Sequence, residues 1–208
     1  MHLPSLNNDK IPQSIVSTMR HRGIDVPELD GISSMSVLEE HIFDLVKNYN
    51  KTSTERQSVF HLVQIWGGNM GRMIYVRGDG FDWNKIDKHY EALIESCFSV
   101  NGHADNDFKI VFKAAVEFKK NVKYIGYSFI TKHLRFWGYK NLEEWTFPPY
   151  DTVMACKYMK QCYDYRDIIF YWKRIYGEAI EKNISVSEYE RYLFNRLQGE
   201  KQIVVSNS

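Results

Sequence analysis

Apolar positions recur at three- and four-residue steps through most of the chain, the period of helices with one buried face. Residues 34–49 place Val37, Leu38, Ile42, Leu45 and Val46 on one stripe, with Ser34 or Ser36 as N-cap. Residues 54–66 repeat the pattern with Val59, Phe60, Leu62, Val63 and Trp66, and the glycines of WGGNMGR end that helix. A turn at Asp79-Gly80 leads to a helix over 83–98, and the loop NGHADND leads to another over 107–121. After the break NVKYIGYS, centred on Gly126, FITKHLRFWG predicts a helix of about ten residues stopped by Gly138. Helices are expected over 151–163, 165–181 and 185–198, the last opened by a Ser185/Glu188 capping box. Strand patterning is confined to MIYV at 73–76 and IVV in the tail. The pattern predicts an all-α, compact single domain of about eight helices over 1–208. Residues 1–30, with Pro4, Pro12 and Pro27, are expected to be loosely organised and the tail 200–208 frayed.

Composition changes this picture little, but charge placement does. With 208 residues and 44% hydrophobic content, the chain can bury a core, and its net charge is only +1. That charge is uneven: residues 108–142 hold eight Lys/Arg against the single acid Glu117, while acids outnumber bases in the segments on either side. A basic patch on a neutral protein is what a phosphate backbone requires, although a solvated helix face has the same composition. Cys97, Cys156 and Cys162 are odd in number and form no C-x-x-C, which argues against a disulfide framework or zinc site. No run approaches the ~20 apolar residues of a membrane span, and a reducing cytoplasm fits best. The histidines show no metal-ligand spacing, and no cofactor motif is present.

Two residues suggest chemistry. Lys132 follows a glycine-containing turn, lies between Phe129 and Phe136 on its helix, and has His133 and Arg135 close by. Apolar and cationic neighbours push an amine toward its neutral, nucleophilic form. Asp151 comes 19 residues later, behind Pro148-Pro149, where a helix start would hold its carboxylate charged. An amine with a fixed carboxylate suits cleavage of a C–N glycosidic bond. Spacing alone carries little weight, because many proteins hold such a pair.

The frame around the pair carries more. Phe129-Ile130-Thr131-Lys132-His133-Leu134-Arg135-Phe136-Trp137-Gly138, then Asp151-Thr152-Val153-Met154-Ala155, with Trp66-Gly67-Gly68-Asn69-Met70-Gly71-Arg72 upstream, resembles helix-hairpin-helix DNA glycosylases of the oxoguanine type. It resembles in particular short bacterial proteins with that fold, over roughly residues 55–165. The resemblance implies a glycosylase fold, DNA as partner, Lys132 as nucleophile and Asp151 as catalytic carboxylate. It implies phosphate contacts from the Gly126 hairpin. Two departures stand out: the usual G-x-G hairpin keeps only Gly126, and Val153 stands where a histidine is common.

The expected DNA-binding residues are Lys119, Lys120, Lys123, Gly126 and Arg135, with Arg72 on a phosphate if the WGGNMGR turn forms an anion-binding nest. The expected function is excision of a modified or damaged base, with abasic-site lyase activity, in repair or phage defence. Two other readings fit the same residues: a non-catalytic nucleic-acid-binding module, and a component of a bacterial defence operon that binds a partner protein.

Overall fold

The computed structural model describes residues 9–77, 81–101 and 105–205, with side chains described as far as Leu197. The Asp79-Gly80 turn, most of the loop before 105 and the last three residues of the tail lie outside that set. The described residues contain helices and no strand. In chain order they are α1 (Gln13–His21), α2 (Met35–Lys47), α3 (Ser53–Trp66), the short α4 (Met73–Val76), α5 (Trp83–Phe98), α6 (Asp105–Asn121), α7 (Tyr127–Leu142), α8 (Ile168–Lys182) and α9 (Val186–Val205). Among the described residues, no helix is long and apolar enough to cross a membrane.

Capping sets several boundaries. The Ser34 side chain accepts from Val37 N–H, and Thr52 and Glu55 form a reciprocal capping box at the start of α3. Ser185 Oγ accepts from Glu188 N–H at 3.1 Å, opening α9 as its sequence suggests. Four expectations are corrected. Residues 13–21, expected to be loose, form α1, because Ile15, Val16 and Met19 share one face and are buried. MIYV forms the helical α4 and the tail continues α9 to Val205, so neither strand signal survives. Gly138 does not stop α7; it sits inside the helix, where an added Cβ would meet Thr146 Oγ1 at 2.5 Å and Phe147 at 2.8 Å. The chain needs glycine there for close packing, and α7 runs on to Leu142. Residues 151–163 form only one π-helical turn, Met154–Tyr158, closed by Met159 N–H on the Met154 carbonyl at 3.0 Å.

Helix α7 is the centre of the molecule. It touches α2, α3, α5 and α6, and Ile130, Thr131 and all six residues from His133 to Gly138 are buried. A helix buried on all sides must satisfy its polar groups inside the protein. His133 does so: its Nδ1 pairs with the Tyr90 hydroxyl at 2.8 Å and its Nε2 with the Gln64 amide at 2.9 Å. Trp137 Nε1 donates to the same hydroxyl at 2.7 Å. Burial lowers the His133 pKa to about 3, so the ring is neutral in the core.

Candidate active site

The segment Pro148-Pro149-Tyr150-Asp151 is pinned against α7 and α8. Trp172 Nε1 donates to the Pro148 carbonyl at 2.9 Å, and the Tyr171 hydroxyl donates to the Pro149 carbonyl at 3.1 Å. Tyr150 N–H donates to Thr131 Oγ1 at 3.0 Å. That bond joins the residue before Lys132 to the residue before Asp151, so the two expected catalytic residues reach one place despite their separation in sequence. Asp151 Oδ1 caps the π-helical turn, accepting from Val153 N–H at 2.9 Å and Met154 N–H at 3.1 Å. Val153 contributes to the site through its backbone N–H.

Lys132 and Asp151 line one cavity of about 190 Å³. Trp66, Gly67, Pro149 and Phe194 contribute to its wall, and Glu39, Glu190, Arg135 and Arg191 supply its charge. Lys132 and Asp151 form no direct ion pair. Lys132 Nζ instead donates to the Gly67 carbonyl at 3.3 Å and lies 4.6 Å from the centre of the Phe129 ring. Burial lowers the Lys132 pKa below the ordinary lysine range, against the opposing pull of the Asp151 and Glu190 carboxylates. Gly67 permits this arrangement: a Cβ there would lie 2.2 Å from Phe129 Cε1. The glycine that ends α3 thereby lets Phe129 and the amine approach its backbone.

Behind the lysine runs a buried ion network. Arg135 donates to Glu39 at 2.5 Å and to Glu190 at 2.8 Å, and Arg191 reaches Glu39 at 3.3 Å. Burial opposes the charge on Arg135, but the two carboxylates hold its guanidinium above its ordinary pKa. Burial pushes the Glu190 carboxyl up, with Arg135 pulling the other way. Arg135 was expected on a phosphate; it lies instead in this network, because its helix position falls on the stripe facing α2 and α9.

The remaining expected DNA contacts lie elsewhere. Lys120 and Lys123 are exposed and Lys119 is half-buried, at the end of α6 and in the connection to α7. Lys120 pairs with Glu117 at 3.7 Å. Arg72 is exposed at the end of the turn Asn69–Arg72. Gly126 is the N-cap of α7 with extended backbone, and no side chain caps that helix. The left-handed position of the connection belongs to Tyr124 (φ 63°), two residues earlier.

The site residues that the sequence reading did not single out are Glu39, Glu190, Arg191 and Phe194, whereas Trp66, Gly67 and Phe129 stood in the quoted frame without a role in the cavity. Glu39 and Glu190 were signalled: Glu39 lies four residues after Met35 and three before Ile42, and Glu190 lies four after Val186 and three before Leu193. An acid on an apolar stripe needs a buried partner, and Arg135 is the base on the stripe of α7. Among the described residues, no three of His, Cys, Asp and Glu gather as a metal-ligand set. The same chain was compared with known proteins, and no family model, curated protein or solved structure matches it.

Proposed function

We propose that this chain is a DNA glycosylase with abasic-site lyase activity, in which Lys132 is the nucleophile and Asp151 its electrostatic partner. The observation that carries this reading is a half-buried amine, drawn toward its neutral form, sharing one cavity with a carboxylate fixed by two backbone N–H groups. The cavity is of a size for one base: an engineered cavity of ~150 Å³ admits benzene, and this one is about 190 Å³.

The chemistry follows from those groups. The neutral amine attacks the anomeric carbon of an extruded nucleotide as the bond to the base breaks, and the base departs with the bonding electrons and takes up a proton. Asp151 stabilises the positive charge that develops on the sugar. Ring opening converts the adduct to a Schiff base on Nζ, from which the strand is cleaved by elimination. Before attack, Nζ must leave the Gly67 carbonyl.

The test is reductive trapping. Duplexes carrying abasic sites and a panel of modified bases are incubated with the protein and borohydride, which reduces a Schiff base to a stable cross-link. The expected result is a covalent adduct that Lys132→Ala abolishes and Asp151→Asn diminishes. No adduct across the panel, or trapping by Lys132→Ala equal to wild type, overturns the reading. A second reading, a binding module without catalysis, is favoured by the exposed Lys109, Lys113 and Lys123, which form no ion pair among the described residues. It predicts DNA binding that survives both substitutions, with no adduct.

A further inference from the structure

The cavity that holds Lys132 and Asp151 carries more charge than those two residues supply. Glu39 and Glu190 line it as well, and each is more than nine-tenths buried. Each gives one oxygen to guanidinium groups: Glu39 Oε1 accepts from Arg135 and Arg191, and Glu190 Oε2 accepts from Arg135. The second oxygens, Glu39 Oε2 and Glu190 Oε1, accept no hydrogen bond among the described residues, and neither is enclosed by protein. Both remain acceptors for a ligand. Two orphan donors nearby, Trp66 Nε1 and Arg135 Nε, are enclosed and reach no ligand without a shift of the wall.

The charge points the same way. The wall sets three carboxylates, Asp151, Glu39 and Glu190, against two guanidiniums, Arg135 and Arg191. The remaining cation, Lys132, is drawn toward its neutral form by burial. Such a wall attracts a positive ligand and repels an edge of carbonyl oxygens. Burial pushes Glu190 toward its neutral form, so a cation in the cavity restores the form that burial disfavours. Trp66 and Phe194 add aromatic faces, which hold a cationic ring more strongly than a neutral one.

We infer that this cavity selects a positively charged, N-alkylated base, with Glu39 and Glu190 accepting from its N–H edge. The amine chemistry suits such a base. When the glycosidic C–N bond breaks, the bonding electrons neutralise the ring, so the base leaves without the proton that a neutral base must take up. The positive charge passes to the new bond between Nζ and the sugar, beside Asp151. A cation in the cavity also disfavours a proton on Lys132 before attack. The inference rests on the base pocket of the reading above but not on the reactivity of Lys132.

The test compares two nucleosides of one shape. N1-methyldeoxyadenosine is a cation at neutral pH, and N1-methyldeoxyinosine is its neutral counterpart, with an oxygen in place of the amino group. Isothermal titration of the full chain is expected to show the cation bound about tenfold or more tightly. Glu39→Gln and Glu190→Gln keep the shape of the wall and are expected to remove most of that preference. Thermal melts check that each variant folds, and the wild-type comparison needs neither. Equal affinity for the two nucleosides, tighter binding of the neutral one, or no binding of either overturns the inference. So does a preference unchanged in both variants once folded. In a second arm, duplex methylated with dimethyl sulfate is incubated beside duplexes carrying uracil or an oxidised base, with a protein-free blank. Methylated bases are expected to be released fastest, and release of a neutral base as fast or faster overturns the inference. Preference for the cationic nucleoside without release or borohydride trapping on any duplex removes the glycosylase and leaves the cation-selective cavity standing. Trapping on abasic sites with equal nucleoside affinities does the reverse.

Discussion

On α6, Lys109, Lys113 and Lys120 stand in water on one side of a helix whose other side, Phe108, Val111, Ala115 and Phe118, is buried. On α7, the next helix, Lys132 is half-buried against a carbonyl and a ring, and Arg135 is buried between two carboxylates. Both helices belong to the same basic stretch of sequence. Their cations nonetheless do different physical work. In water a lysine remains charged and acts at a distance, screened by salt over about 8–10 Å. In the interior a cation must be paired or become neutral, and the choice depends on what faces it. Arg135 has two acids and stays charged. Lys132 has a carbonyl and no direct ion pair, and burial lowers its pKa.

The largest expected effect lies on the buried side. Arg135→Met leaves Glu39 and Glu190 facing each other without their shared cation, which should cost about 3–5 kcal/mol in chemical denaturation at neutral pH. Replacing all three with apolar residues of similar volume should recover most of that loss. A cost below about 1 kcal/mol for the single change would mean that the network is hydrated and that the contrast with α6 is overstated.

The next effect is acid sensitivity. Burial lowers His133 and His61 from the ordinary 6.5 to about 3 in the fold. The unfolded chain therefore binds the extra protons first, and the stability from each ring is full above pH about 6.5 and lost as pH falls toward 3. Each contributes a slope of up to about 1.4 kcal/mol per pH unit in that window. Denaturation midpoints of His133→Asn against wild type, between pH 4 and 6 or so, should differ in slope by about one proton. Equal slopes would show that the ring already titrates normally.

Smaller still is Gly67→Ala. The added methyl meets Phe129 at 2.2 Å and should cost about 1–3 kcal/mol through overpacking. It should also disturb the amine held by the same residue's carbonyl, so trapping by Lys132 should fall more than the thermal stability suggests. The smallest effect has the opposite sign. Tyr124 occupies the left-handed region (φ 63°), where a side chain costs roughly 1–2 kcal/mol, partly offset by the backbone entropy a glycine loses. Tyr124→Gly should raise the melting temperature by a few degrees, while the exposed Lys120→Gln or Lys123→Gln leaves stability within about 0.5 kcal/mol.

Much of the fold was legible because amphipathic helices declare their buried stripe. Residues 83–98 were delimited as found, and α2, α3 and α8 to within a few residues. α1 was obscured by the surrounding prolines and glycine, although Ile15, Val16 and Met19 already marked a face. Gly138 looked like a stop because a glycine needed for close approach and one that ends a helix are the same letter; only the approach of Thr146 and Phe147 separates them. At the site, Lys132 and Asp151 were visible as a pair, but the cavity wall was not, since Glu39 and Glu190 lie far from Arg135 in sequence.

The sequence by itself determined that the protein is helical, where most helices begin, and that one stretch of the chain carries an excess of positive charge. It could do so because hydrophobic period, capping and composition are local. Only the tertiary structure decided which of those charges are solvated and which are enclosed. It also placed an amine beside the end of α3 and, through Thr131 and Tyr150, brought Asp151 to the same cavity. Burial and long-range hydrogen bonds arise from the packing of distant segments, and the charge state of a lysine follows from them.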